Sequence, residues 1–303
     1  MGGDLLVRGA VGLARRLQIP PVVVAATVVG FGTSLPELVV SIQATLTGAP
    51  GLILGNVVGS NIANVLMVAG ASAIVLPLVH RDTALRRNLL IMMGATLGFT
   101  ALVALRPLDR TAGVVLLATF AFIMAATAGS TIRDQQEADT TTPLDWVLGL
   151  PSRPYTIAIF VTLGIVMLPL GAQLLVSSAV TIAESFQVPE PVVGLTVIAI
   201  GTSLPELSTS VLAALERRSD VAIGAIVGSN TFNILAIMGV TASLSSAPID
   251  VSRRFLTLDV PTMIVSSLLL AIFAWKGRPI GRGVGVVMLL SYGLYLGALY
   301  LTL

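Results

Sequence analysis

Ten residues near the start of the chain, GTSLPELVVS at 32–41, return as GTSLPELSTS at 201–210, each copy with a glutamate at its centre and apolar sequence on both sides. Without gaps, residues 18–70 align onto 187–239 with 24 of 53 positions identical, including GNVVGSNIANVL at 55–66 against GAIVGSNTFNIL at 224–235. Solenoid repeats recur about every 20 to 50 residues. A spacing of 169 residues instead divides the 303-residue chain into two related halves, the plan of many membrane transporters. Two copies of one unit, meeting at a common interface, are what such a chain has to build.

Composition identifies the solvent. The chain is 55% hydrophobic and 11% charged, with a mean hydropathy of +0.96, whereas about a quarter of the residues in a soluble domain are charged. This reads as an all-α polytopic membrane protein whose partner is the lipid bilayer. The pI of about 9.4 does not indicate nucleic acid, because the basic residues are scattered through short loops. With no cysteine and a single histidine, His80, disulfides, thiolate zinc sites and multi-histidine centres are excluded. His80 ends an apolar run beside Arg81 and reads as interfacial.

Taking about 20 apolar residues per crossing, spans are expected at 22–46, 52–78, 88–105 and 111–130, then at 155–183, 191–215, 221–247, 255–275 and 283–302. The repeat offset pairs Gly2 with Gly171, so residues 2–17 read as an N-terminally truncated first helix equivalent to the later part of 155–183. An apolar extension encoded upstream is the expectation. Five spans then separate equivalent points of the repeats, and an odd number inverts the second copy. Residues 1–130 form the first repeat (helices 1–5), 131–153 a linker and 154–303 the second repeat (helices 6–10). Loop charge gives the orientation, since cytoplasmic loops are enriched in Lys and Arg. Twelve basic residues, among them Arg15, Arg16, Arg86, Arg87, Arg153, Arg217 and Arg218, fall on one side and four, Arg106, Arg110, Arg253 and Arg254, on the other. The first side is cytoplasmic, both termini face outward, and the acidic 131–153 loop is a solvated cytoplasmic linker of an inner (plasma) membrane protein.

Of the fifteen acidic residues, only Glu37 and Glu206 occupy the middle of long apolar segments. An ionisable group there is costly and functional by default. Each follows a proline, Pro36 or Pro205, which should break the helix and free a carbonyl near Gly32 or Gly201. Thr33, Ser34, Thr202 and Ser203 add hydroxyls within a turn of the acids. Ser60 and Asn64, like Ser229 and Asn233, stand four apart on one helix face. Asn61 and Asn230 lie on another face, as braces. Carboxylates, amides, hydroxyls and carbonyls make a hard-oxygen site suited to sodium or calcium. Two glutamates balance one calcium or two sodium ions, so the two cargoes would compete.

GTSLPE with GNVVGSNIANVL, repeated as GTSLPE with GAIVGSNTFNIL, resembles the alpha repeats of the cation/calcium exchanger superfamily, and in particular prokaryotic sodium/calcium exchangers. The resemblance implies a ten-helix sodium/calcium-exchanger-like fold of two inverted five-helix repeats. It also implies a midplane site between helices 2, 3, 7 and 8, with alternating access by sliding of helices 1 and 6. Glu37 and Glu206 would be shared by calcium and sodium, Thr33, Ser34, Thr202 and Ser203 would serve flanking sodium sites, and Ser60, Asn64, Ser229 and Asn233 would complete the centre. Asn233 departs from the Asp of archaeal and potassium-dependent members, so potassium dependence is not expected. The reading is a sodium/calcium antiporter that works as a monomer without a cofactor and extrudes calcium. The alternative is a proton/calcium antiporter using the same glutamates. A channel would carry calcium downhill regardless of sodium, and a hydrolase would need an asymmetric acid and base pair.

Overall fold

The structure, a computed structural model, describes residues 2–17, 21–46, 48, 50–79, 83–105, 107–137, 151–185, 199–253 and 255–301. Among them all regular structure is helical, apart from two isolated bridges. In chain order the helices are α1 (Gly2–Leu17), α2 (Ala25–Thr33, led in by Pro21–Val24), α3 (Leu35–Leu46), α4 (Gly51–Val75), α5 (Thr83–Leu105) and α6 (Arg110–Glu137). The second half contributes α7 (Pro154–Ser185), α8 (Ala199–Thr202), α9 (Leu204–Leu215), α10 (Ser219–Leu244), α11 (Phe255–Phe273) and α12 (Arg282–Leu301). The pairs α2/α3 and α8/α9 each interrupt one expected span, which leaves ten units in two sets of five. His80 and residues 186–198 lie outside the described residues, as does most of the 131–153 linker.

Ends differ from the expected spans for local reasons. α4 stops at Val75 because Leu76, ahead of Pro77, is extended at φ −144°, ψ 132°, the conformation a following proline imposes. α10 likewise ends at Leu244, with Ser245 extended three residues before Pro248. α6 runs to Glu137 rather than 130. Gln135, Gln136 and Glu137 are good helix formers, so the helix outlasts its apolar stretch and crosses the expected repeat boundary.

α10 and α4 form the centre, buried along most or all of their apolar lengths, while α6 and α12 bury only about a quarter of theirs. α1 lies antiparallel along α7. Gly164 sits against the backbone of Leu6 and Gly9 against that of Val161, which lets the two helices approach to backbone contact. Arg8 of α1, a charge in a span, is accounted for by Asp4 at 2.7 Å and Glu216 at 3.6 Å. Partial burial raises the pKa of Glu216, and the Arg8 guanidinium pulls it back down.

Two backbone clasps join the halves. Leu78 exchanges both hydrogen bonds with Ile280 at 3.0 Å, and Leu108 with Ile249 at 3.1 and 2.8 Å. The repeat relation interchanges them, Leu78 matching Ile249 and Leu108 matching Ile280 at offsets of 171 and 172 residues.

Among the described residues one further acid is buried. Asp259 in α11 accepts the Tyr295 hydroxyl of α12 at 2.8 Å. It lies five residues into its helix, near the end of the 255–275 span expected on sequence, where no buried acid is anticipated. Tyr295→Phe should lower stability by about 1–2 kcal/mol, the usual cost of removing a donor from a buried charged group, read as a lower unfolding temperature of the detergent-solubilised protein. An unchanged temperature would mean the bond contributes nothing.

Candidate functional site

Each glutamate sits at the start of a helix that begins after a break. Ser34 (φ −86°, ψ 10°) and Ser203 (φ −86°, ψ 5°) interrupt the helix with the same backbone conformation, and α2 and α3 meet at a 49° bend. The prolines do not interrupt a helix from within, as expected on sequence. They occupy the second position of α3 and α9, where a missing N–H leaves no helical hydrogen bond unmade. Gly30 O, one turn before the break, accepts the Ser34 N–H at 3.3 Å and also lies 3.1 Å from the Ser229 hydroxyl.

All ten expected site residues are buried, and the helices α2, α3, α4, α8, α9 and α10 bring them together. Glu37 and Glu206 are 0% and 1% exposed. Ser34 Oγ, from the first half, donates to Glu206 Oε1 at 3.0 Å, and Ser229 Oγ approaches the same oxygen at 3.4 Å. Thr33 back-bonds to Val29 O at 3.1 Å and lies 3.3 Å from Ser229 Oγ. Thr202 is buried on the break beside Ser203. Asn64 Nδ2 donates to Asn230 Oδ1 at 3.0 Å.

Several buried oxygens have no protein hydrogen-bond partner among the described residues. Among them are both carboxylate oxygens of Glu37, Glu206 Oε2, Asn64 Oδ1, Asn233 Oδ1, and the hydroxyls of Ser60 and Ser203. Leaving such a group unpaired costs about 1–3 kcal/mol, a cost that a bound cation would offset. Its chemistry is two carboxylates with neutral oxygens from four helical segments. No group of three or more His, Cys, Asp and Glu side chains occurs among the described residues, so the charge density stays below that of a tight metal cage.

Three features escaped the sequence. Asn56 donates to Glu37 O at 2.9 Å and to Ser41 Oγ at 2.8 Å, which ties α4 to the glutamate's helix. Its repeat partner is Ala225, so the alignment gave no signal. α4 and α10 each carry a π-helical turn starting at the equivalent residues Asn64 and Asn233, a local widening common at functional sites. Finally, Gly228 presses on the Ala26 backbone, and Gly30 lies 2.8 Å from Ser229 N when judged at the position of a Cβ.

The family model described as sodium/calcium exchanger protein matches residues 1–128 and 156–301. Inner membrane protein YrbG of Escherichia coli (strain K12) is 33% identical over 300 residues, covering 98% of this chain and 92% of the relative. Sodium/calcium exchanger MaX1 of Methanosarcina acetivorans is 30% identical over 332 residues, covering 99% and 94%. The solved structure of the sodium–calcium exchanger NCX_Mj soaked with 2.5 mM Na+ and 0.1 mM Ca2+ superposes with a TM-score of 0.82 at 30% identity, over 98% of this chain and 93% of that one.

Proposed function

The chain belongs to the sodium/calcium exchanger protein family, and from that membership and the facing glutamates we infer how it works. It is a multi-pass membrane antiporter that exchanges sodium for calcium. The observation that carries the site is the pair Glu37 and Glu206, both buried and both with carboxylate oxygens that no protein donor among the described residues satisfies. Calcium and sodium compete for this seat, with Glu37 and Glu206 shared between them. Ser60, Asn64, Ser229 and Asn233 complete the centre, and Thr33, Ser34, Thr202 and Ser203 supply flanking sodium oxygens. The chain works as a monomer without a resident cofactor. Residues 1–130 and 154–303 are the inverted repeats and 131–153 the cytoplasmic linker, with both termini outside.

Alternating access follows from the packing. α1 and α7 lie against each other along glycine-lined faces, whereas the clasps at Leu78–Ile280 and Leu108–Ile249 tie the other helices across the halves. Sliding of α1 and α7 past this tied core exposes the glutamates first to one side and then to the other. Calcium moves outward as sodium moves in.

In everted vesicles, an outward-directed sodium gradient should raise calcium uptake at least about tenfold over equal sodium on both sides. Uptake driven by a pH difference and insensitive to sodium would replace sodium with protons as the counter-ion. Downhill calcium flux indifferent to both would mark a channel.

A further inference from the structure

The repeat pairs Ser34, Ser229 and Asn64 with Ser203, Ser60 and Asn233, yet the structure uses one set of them. Glu206 Oε1 accepts Ser34 at 3.0 Å, with the Ser229 hydroxyl 3.4 Å away and shared with Gly30 O. Asn230 reaches across the interface, accepting Asn64 Nδ2 at 3.0 Å and donating to Asn61 O at 3.3 Å. The repeat-related contacts would place Ser203 and Ser60 on Glu37, and Asn233 on Asn61 Oδ1. None is made: both Glu37 oxygens, the Ser203 and Ser60 hydroxyls, both Asn233 amide atoms and Asn61 Oδ1 lack a protein partner among the described residues. Asn61 donates instead to Val57 O in its own helix at 2.6 Å.

The two donor sets, two serines and an asparagine each, are identical in residue type. Two arrangements of similar free energy make a bistable element. In an inverted repeat, exchanging the conformations of the halves turns a site open to one side into the same site open to the other.

We propose that the halves trade this hydrogen-bond set at each turnover. In the opposite-facing arrangement Ser203 and Ser60 hold Glu37, Asn233 donates to Asn61, and Asn230 folds back onto the Ile226 carbonyl of its own helix. Asn61 and Asn230, outside the ten expected ligands, are thus positioning residues. The brace takes the Asn64 amide nitrogen now and the Asn233 amide nitrogen then, and so decides which ligand amide is fixed with its oxygen free for a cation. The inference rests on the antiport reading and on the inversion of the repeats.

The test is sidedness. The full-length protein is reconstituted in one orientation, and half-saturation by calcium is measured from each face during sodium-driven exchange. Asn230→Ala is expected to raise it at one face by roughly threefold to tenfold, the range set by losing about one net hydrogen bond, and to leave the other face within about twofold. Asn61→Ala is expected to give the opposite skew. A merely structural role would move both faces alike in both variants, and that result, or a skew toward the same face, overturns the proposal. If an alanine variant does not fold, Asn230→Ser and Asn61→Ser are compared in the same way with the same outcomes. Unskewed variants beside an active wild type sink this inference alone, whereas no sodium-driven calcium flux in the wild type sinks the antiport reading and this proposal with it.

Discussion

Glu206→Gln is expected to cut sodium-driven calcium flux at least about a hundredfold while the protein still folds. The substitution keeps the shape of the side chain, and the Gln carbonyl can still accept from Ser34 and Ser229, which hold Oε1 in the native protein. What disappears is one of the two buried charges that face the cation. A unit charge at about 4 Å is worth about 4 kcal/mol at the effective dielectric of a protein near its surface, and about 2.7 kcal/mol already corresponds to a hundredfold. Calcium should suffer more than sodium, because it carries twice the charge. Flux in proteoliposomes, beside the elution profile and unfolding temperature of the purified variant, gives the answer. A folded variant with near-native flux would remove Glu206 from the site.

Gly228→Ala should be the most damaging single methyl in the centre of the fold. A Cβ at this position would fall into the backbone of Ala26, with its carbonyl and Cα both inside contact distance. Overpacking usually costs about 1–3 kcal/mol when side chains can give way. Here the obstacle is main chain, and it belongs to the π-helical turn Ala25–Val29 just ahead of the first break. We expect a loss of about 3 kcal/mol or more, seen as poor yield and a lower unfolding temperature. Ser229 follows directly, its hydroxyl 3.1 Å from Gly30 O and 3.4 Å from Glu206 Oε1, so residual protein should also bind calcium weakly. Native stability in this variant would mean that α2 and α10 do not approach as closely as described.

The site was legible because duplication left the same acid, hydroxyls and amides twice in register, and Glu37 and Glu206 stood out against apolar surroundings. The fold was legible in outline for the same reason. Burial was not: α4, α6 and α10 have the same mean hydropathy of 1.7, yet α10 is wholly enclosed and α6 faces outward. Lipid and protein interior are equally apolar, so hydropathy cannot tell a central helix from a peripheral one. Nor can the alignment tell Ser34 from Ser203. Their sequence neighbours are nearly the same, and only the packed structure gives one of them a carboxylate and leaves the other without a partner. Asn56 was invisible for the opposite reason, since its counterpart Ala225 shows that this anchor belongs to one half alone.

The clasps constrain biogenesis. Leu78 must wait for Ile280, about two hundred residues later in the chain, and Leu108 for Ile249. During synthesis the early half therefore enters the bilayer with these main-chain groups unsealed, and they close only as the last helices are threaded in. Split into two polypeptides, the duplicated halves would each keep their helices yet lack the stitches that hold a finished molecule shut.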